Sequence, residues 1–407
     1  MNILLINHYA GSPEMGMEFR PYYMAREWIK LGHKVAIIAG DYSHLRQKNP
    51  SIKKDFTKAK IDGITYCWVK TGQYTGNGVK RALSMARFTG KLWLKAKWIA
   101  KAFKPDVIIT SSTYPIDTYA GQRIRKYATK AKLVHEVHDM WPITLIELGK
   151  MKRWNPFVIL MQCGENSFCR HADKIVSLLP EAKQYFIKHG MKADKFHFVP
   201  NGIVEEDWEN AATLDEQHRA VLDKLKKTGK FIICFFGSHT ASYALTYLIK
   251  AVQSLENPSI AVVFVGNGNQ KSELMKMATV KMPDSFVFLP PVPKSMIPSL
   301  LEYMDVLYVG ALNNNMFRFG ICMNKLFDAM MSGKPILYAV NAPNNYINDY
   351  NCGITVEAES EIALKDGIMQ MMAMSVQKRN ELGRNGHKAV LEHFTYKKLA
   401  ADFAAIF

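Results

Sequence analysis

The strongest constraint on this chain is the order in which its apolar runs arrive. Residues 3–6 read as a short strand, Gly11-Ser12-Pro13-Glu14-Met15-Gly16 as a loop, 19–30 as a helix closed by Leu31-Gly32-His33, and 35–39 as the next strand. Parallel strands need a crossover of this kind, and the crossover helix covers a face of the sheet. Further strands are expected at 64–69, 107–111, 133–137, 174–177 and 196–199. The pattern then begins again. A strand at 231–236 ends in Gly237-Ser238-His239-Thr240, a helix follows near 245–253, and a strand at 261–265 ends in Gly266-Asn267-Gly268. Strands at 287–289, 306–309 and 335–339 continue it. The fold class is therefore α/β, with two doubly wound, Rossmann-like halves.

The 407 residues suit two domains of roughly 200 residues each. The junction is expected near Pro200-Asn201-Gly202, which gives domains over 1–200 and 201–390. The final stretch, 391–407, is expected to return to the first domain as a helix. Ligands of open parallel sheets sit beyond the carboxyl ends of the strands. Gly11-Ser12, 111–113, His138-Asp139, 237–240, 266–268 and 317–328 all follow strands. All are candidates to line one cleft between the domains.

Composition narrows the partners. Six scattered cysteines show neither zinc-type spacing nor a disulfide framework, and read as buried free thiols of a cytoplasmic protein. The first residues lack the features of a signal peptide, and no apolar run approaches the roughly 20 residues of a membrane span. A soluble or peripheral protein is expected. The formal charge of +17 calls for an anionic partner: nucleic acid, a membrane surface or a phosphorylated substrate.

Residues 79–104 hold eight Lys/Arg and no acid. On a helix, Met85, Phe88, Leu92, Ala96, Ile99 and Phe103 form one apolar stripe, the core face. Arg87, Lys91, Lys95, Lys97 and Lys101 take the opposite arc, with Leu94 and Trp98 among them. A ring among lysines suits an anionic lipid surface, so Arg87, Lys91, Leu94, Lys95 and Trp98 are candidate membrane-facing residues. A solvated basic face is the plainer alternative. No helix-turn-helix or RNP-type motif accompanies it, and nucleic acid is not the expected partner.

The segment 317–335 reads as a loop, a helix and a Gly-Lys-Pro stop. Arg318 and Lys325 place two cations near a helix N-terminus, where free N–H groups already favour an anion. Asp328 lies one turn further in. This set suits a phosphate-bearing ligand with a sugar diol, that is, a nucleotide-activated substrate. An ordinary surface helix is the alternative.

These residues resemble family 4 glycosyltransferases along nearly the whole chain. The phrases that carry the likeness are Asn7-His8-Tyr9-Ala10-Gly11-Ser12-Pro13, Gly16-Met17-Glu18-Phe19-Arg20-Pro21-Tyr22-Tyr23, Glu136-Val137-His138-Asp139-Met140-Trp141-Pro142, Ile146-Glu147-Leu148-Gly149, Pro200-Asn201-Gly202-Ile203, Pro290-Pro291-Val292-Pro293-Lys294-Ser295 and 317–335. They are similar to the subgroup that builds bacterial O-antigen and capsule sugars, most nearly to its N-acetyl-L-fucosaminyl transferases. The resemblance implies the GT-B fold, two Rossmann-like domains with an interdomain cleft. It implies retaining transfer from a nucleoside-diphosphate sugar, usually UDP-linked, to an acceptor hydroxyl, usually without a metal. No Asp-x-Asp motif stands at a strand end.

By motif, Asp328 should hold the ribose hydroxyls, and Lys325 and Arg318 the diphosphate, with Asn324 and the backbone at Gly320 assisting. Gly11 and Ser12 should let the first-domain loop approach the phosphates or acceptor. Gly237 and Ser238 should cradle the phosphates, Gly266 should line the donor site, and Pro291 and Val292 should meet the base. His138 and Asp139 match the histidine motif after a first-domain strand, where His138 faces the donor sugar or stands one layer behind it. Three positions depart from the family pattern. Gly320 occupies the place of its first acid. The Arg…Lys pair after the second domain's first strand is missing, which gives Arg318 part of that role. His138 stands where the nearest subgroup has arginine.

The reading is a peripheral enzyme at the inner face of the plasma membrane that extends a polyprenyl-diphosphate-linked glycan by one sugar, with no metal and no cofactor. A nucleotide-sugar 2-epimerase of the same fold and a non-catalytic nucleotide-sugar binder are the alternatives.

Overall fold

The computed structural model describes residues 1–16 and 19–407, so Met17 and Glu18 of the phrase quoted above lie outside the described residues. The chain forms two compact units. The first comprises Met1–Pro200 with Tyr396–Phe407, the second Asn201–Thr395.

The first unit is built on eight strands: β1 (Asn2–Ile6), β2 (Lys34–Gly40), β3 (Thr57–Ile61), β4 (Ile64–Val69), β5 (Val107–Thr110), β6 (Lys132–Val137), β7 (Lys174–Ser177) and β8 (Phe196–Phe198). Their order is β3-β4-β2-β1-β5-β6-β7-β8. All neighbours are parallel except β3 and β4, joined through Asp62-Gly63, both at positive φ. Strand β3 has no counterpart among the strands expected from the sequence. It reads Thr-Lys-Ala-Lys-Ile, exposes its three central residues and offers no apolar run. Lysines on an outer strand block further edge pairing. The strand order reverses between β1 and β5, the point where such sheets open a crevice at their carboxyl edge.

Helix α1 (Phe19–Lys30) ends at Gly32, whose φ of +86° closes a left-handed cap, with the His33 N–H donating to the Trp28 carbonyl. The 79–104 segment is two helices, α2 (Val79–Leu94) and α3 (Ala96–Phe103), broken at Lys95. Helix α4 (Pro156–His171) starts with Asn155 as cap and proline in its first turn, both favoured there.

In the second unit, β9 (Phe231–Phe236), β10 (Ile260–Val265), β11 (Phe286–Leu289), β12 (Val306–Gly310), β13 (Ile336–Ala339) and β14 (Gly353–Thr355) form a parallel sheet ordered β11-β10-β9-β12-β13-β14. Helix α5 (Leu245–Leu255) follows β9, and α6 (Asn324–Met331) follows β12. Apolar clusters cover both faces of the sheet. The chain then returns to the first unit as α7 (Tyr396–Ala404). There Trp28 of α1 donates Nε1–H to the Ala400 carbonyl at 3.0 Å and meets Phe403 edge-on.

Candidate functional site

The carboxyl edge of the second sheet forms a cradle from backbone. The chain leaves β9 at Gly237 (φ +125°) and β10 at Gly266 (φ +145°). A Cβ at Gly266 would lie 2.0 Å from the Gly237 carbonyl oxygen, and one at Gly237 would lie 2.9 Å from Lys325 Nζ. Only glycine fits either place. The Gly237 N–H donates to Val265 at 2.9 Å and the His239 N–H to Asn267 at 2.8 Å, so the two loops are tied. They line a cavity of about 360 Å³ with Ser238, Pro291, Val292 and Ile297. His218 supports its far wall: Nε2 meets the Pro290 carbonyl at 3.0 Å while Nδ1 meets the Asp215 carboxylate at 2.7 Å.

Lys325 reaches beneath this cradle from the first turn of α6. Its Nζ lies 3.3 Å from the Tyr243 ring centroid and 4.0 Å from that of Phe235, and makes no hydrogen bond. Burial pulls its amine down to about 7. Cation–π contact returns part of what desolvation takes away. A buried donor without an acceptor is rare and calls for a physical reason.

Asp328 sits three residues on, on the same face of the helix. Burial lifts its carboxyl to about 6, opposed by Lys294, which pairs with Asp207 at 2.9 Å. Asn324 is exposed at the helix start. Gly320 takes φ +97°, and Asn344 grips the next residue, Ile321, through both backbone groups at 2.8 Å.

Gly237, Ser238, Gly266, Pro291 and Val292 thus line one cavity, and Lys325 stands behind Gly237 without lining it. Arg318 is not among the lining residues either. It lies on a 3-10 turn (Asn315–Phe319), where it donates to the Asn315 carbonyl and stacks on Phe319 at 4.3 Å. His239, which the sequence marked only as part of a loop, is fully buried among Phe235, Phe264 and Phe288, with neither ring nitrogen hydrogen-bonded. Burial first, then Lys271 and Lys325, pull it down to about 4.

The carboxyl edge of the first sheet carries a second polar cluster. His138 Nε2 lies 2.9 Å from Glu136 Oε2 and 2.8 Å from Ser111 Oγ, which itself donates to Glu136 at 2.6 Å. Both partners share one nitrogen, so this is not a serine-histidine-acid relay; it leaves Nδ1 for a ligand. Glu136 is buried, which alone would raise its pKa. Arg20, at 2.9 Å, and His138 overcome this and hold the carboxyl well below the usual range. Arg20 also donates to the carbonyls of Val199 and Pro200, the last residues before the chain leaves this unit. Asp139 is engaged on both oxygens, by Thr144 Oγ1 at 2.7 Å and Trp141 Nε1 at 2.9 Å, and burial raises its pKa. The Gly11 carbonyl accepts from Tyr66 at 2.6 Å, and the buried Ser12 hydroxyl has no partner.

On α2 and α3, Lys91 pairs with Asp55 at 2.8 Å and donates to the Lys70 carbonyl, and Arg87 turns to the Thr71 carbonyl at 3.4 Å. Leu94, Lys95 and Trp98 are exposed, Trp98 at 42%, with its ring against Phe56.

Two α/β units, the second with a glycine-edged cavity, a buried lysine beneath it and a carboxylate one turn beyond that lysine, define a class. Residues 15–207 match the model for Glycosyltransferase Family 4, and residues 217–389 that for Glycosyl transferases group 1. The two matches cover successive parts of the chain, and its fold is of the GT-B type. It is 22% identical over 241 residues to the probable glycosyltransferase WbjE of Pseudomonas aeruginosa, a match that spans 59% of each chain. Among solved structures it is similar to sucrose-phosphate synthase from Thermosynechococcus elongatus, with TM-score 0.71, 15% identity and 99% and 97% of the two chains covered. It is also similar to Anabaena HepE in complex with UDP and glucose, with TM-score 0.65, 16% identity and coverage of 100% and 98%.

Proposed function

We propose that the protein is a retaining, metal-independent glycosyltransferase that takes a sugar from a UDP-sugar to a lipid-linked glycan in O-antigen or capsule biosynthesis. N-acetyl-L-fucosamine is the sugar that the sequence likeness favours. The observation that carries this is Lys325: an amine buried without a hydrogen bond beneath the glycine cradle. A diphosphate in the cavity would complete its coordination and restore its charge, and the restored ammonium would stabilise the leaving group. Asp328 is suited to the ribose diol. The similarity to a protein held with UDP and glucose supports a UDP-linked donor. His138 would offer Nδ1 to the sugar, kept in place by Glu136. Among the described residues no helix is long and apolar enough to cross a membrane. Peripheral attachment at the inner face of the plasma membrane is the reading that fits a lipid-linked acceptor.

The test is a screen of nucleotide sugars for thermal stabilisation, then turnover of the best donor with a lipid-linked acceptor, with and without a chelator. Transfer with retained anomeric configuration, insensitive to chelator, is expected. Donor turnover without any acceptor would instead point to an epimerase, and binding without turnover to a non-catalytic binder.

A further inference from the structure

The first unit carries a second exposed apolar surface, apart from the basic α2–α3 face. It lies where the chain passes from the loop after β6 into α4. On the first two turns of α4, Ile159, Leu160 and Cys163 face outward at helical spacing, while Val158, Met161 and Phe168 face the core. Just before the helix, Trp154 is 72% exposed, and Leu148, six residues earlier, is also exposed. A helix of a soluble domain ordinarily turns polar side chains outward.

The charge on this surface points to one occupant. From residue 148 to residue 164 there is no acid, and there are three cations, Lys150, Lys152 and Arg153. None of the three meets a carboxylate among the described residues, and Lys152 lies over the Trp154 ring at 5.3 Å. On α2, by contrast, Lys91 is already paired with Asp55. Exposed tryptophan and aliphatic side chains close in sequence to three cations that meet no carboxylate match the boundary of an anionic bilayer, with rings at headgroup depth and cations on phosphates.

The position suits a lipid-borne acceptor. The loop after β6 begins at His138, Trp141 in that loop packs edge-on to Phe157 at 6.0 Å, and the Gly164 backbone abuts the turn at Pro115 beyond β5. The apolar surface therefore borders the same sheet edge as the Ser111–Glu136–His138 cluster. We infer that the 148–163 surface, led by Trp154, Ile159 and Leu160, is the face by which this protein docks on an anionic membrane. The inference rests on the reading of a membrane-borne acceptor, but its test needs no turnover.

The experiment is co-sedimentation with phosphatidylcholine–phosphatidylglycerol vesicles. It compares wild type, a Trp154→Ser/Ile159→Ser/Leu160→Ser variant and an Arg87→Ala/Lys91→Ala variant, with UDP affinity and oligomeric state measured on each. The expected result is that the first variant needs at least about tenfold more lipid for half-binding, while the second changes little. Unchanged UDP affinity in both shows that the donor site is intact. A vesicle-binding failure thus leaves the donor reading untouched, and a failure to bind UDP leaves the docking face untouched. Should the triple variant misfold, brominated lipid replaces it: quenching of wild-type tryptophan emission should largely vanish in Trp154→Phe. Equal vesicle binding by wild type and the triple variant, quenching unaffected by Trp154→Phe, no binding by wild type, or a dimer that the triple variant dissolves would each overturn the proposal.

Discussion

Replacing Lys325 with methionine should make the unliganded protein more stable and a poorer binder of UDP. The amine falls from its ordinary 10.5 to about 7 through burial, which corresponds to roughly 5 kcal/mol against the charged form. Two ring faces at 3.3 and 4.0 Å offset about 2 kcal/mol of this, the range for a desolvated cation–π contact. Methionine fills similar space and keeps favourable ring contacts. The net gain at pH 7 is then about 2–3 kcal/mol. Its pH dependence has a definite sign. Between about 7 and 10.5 the unfolded chain holds a proton that the folded chain has released, so wild-type stability rises with pH across that window. The advantage of the variant is therefore full at or below pH 7 and fades towards pH 10.5. Urea unfolding at pH 7 and pH 9, with calorimetric titration of UDP, reads both effects. A variant that is less stable than wild type at pH 7, or that binds UDP as tightly, would refute the reasoning.

Arg20→Met should cost about 3–5 kcal/mol in urea unfolding at pH 7, because it leaves Glu136 charged and buried without its partner; Arg20→Met/Glu136→Gln should recover part of the loss. His239→Leu should stabilise the protein by about 1–3 kcal/mol at neutral pH, since neither ring nitrogen has a partner. It should also remove an acid sensitivity: the folded histidine takes its proton only near pH 4, so wild type loses stability as pH falls from 6.5 towards 4, and thermal melts across that range should show a shallower slope in the variant. Gly266→Ala should abolish measurable UDP binding, because its methyl group would meet the Gly237 carbonyl at 2.0 Å; near-normal affinity would mean that the two loops are not the donor cradle.

The fold was legible because buried parallel strands announce themselves as apolar runs. β9 and β10 are almost wholly buried, whereas β3 is a lysine-bearing edge and β14 is only three residues long; neither could be seen this way. The break at Lys95 was hidden because Met85, Phe88, Leu92, Ala96 and Ile99 keep one apolar stripe across it. At the site, the glycine loops and the Lys325–Asp328 spacing were local signals. Arg318 was read as a partner of Lys325 from proximity in sequence, yet its described contacts are with its own turn. Glu136 stood in a recognised phrase but took its meaning only from Arg20 and Ser111, which are 116 and 25 residues away. His239 carried no signal, since a histidine after a strand reads as a ligand group rather than as one enclosed by phenylalanines.

Proton uptake on UDP binding tests most directly whether Lys325 receives the diphosphate. Free protein at pH 8, with its amine near 7, holds only about a tenth of a proton there. Titrations in buffers of different ionisation heat should show wild type taking up about 0.9 proton per UDP and Lys325→Met close to none. Negligible uptake by wild type, or equal uptake by both, would mean that the diphosphate does not rest on this lysine.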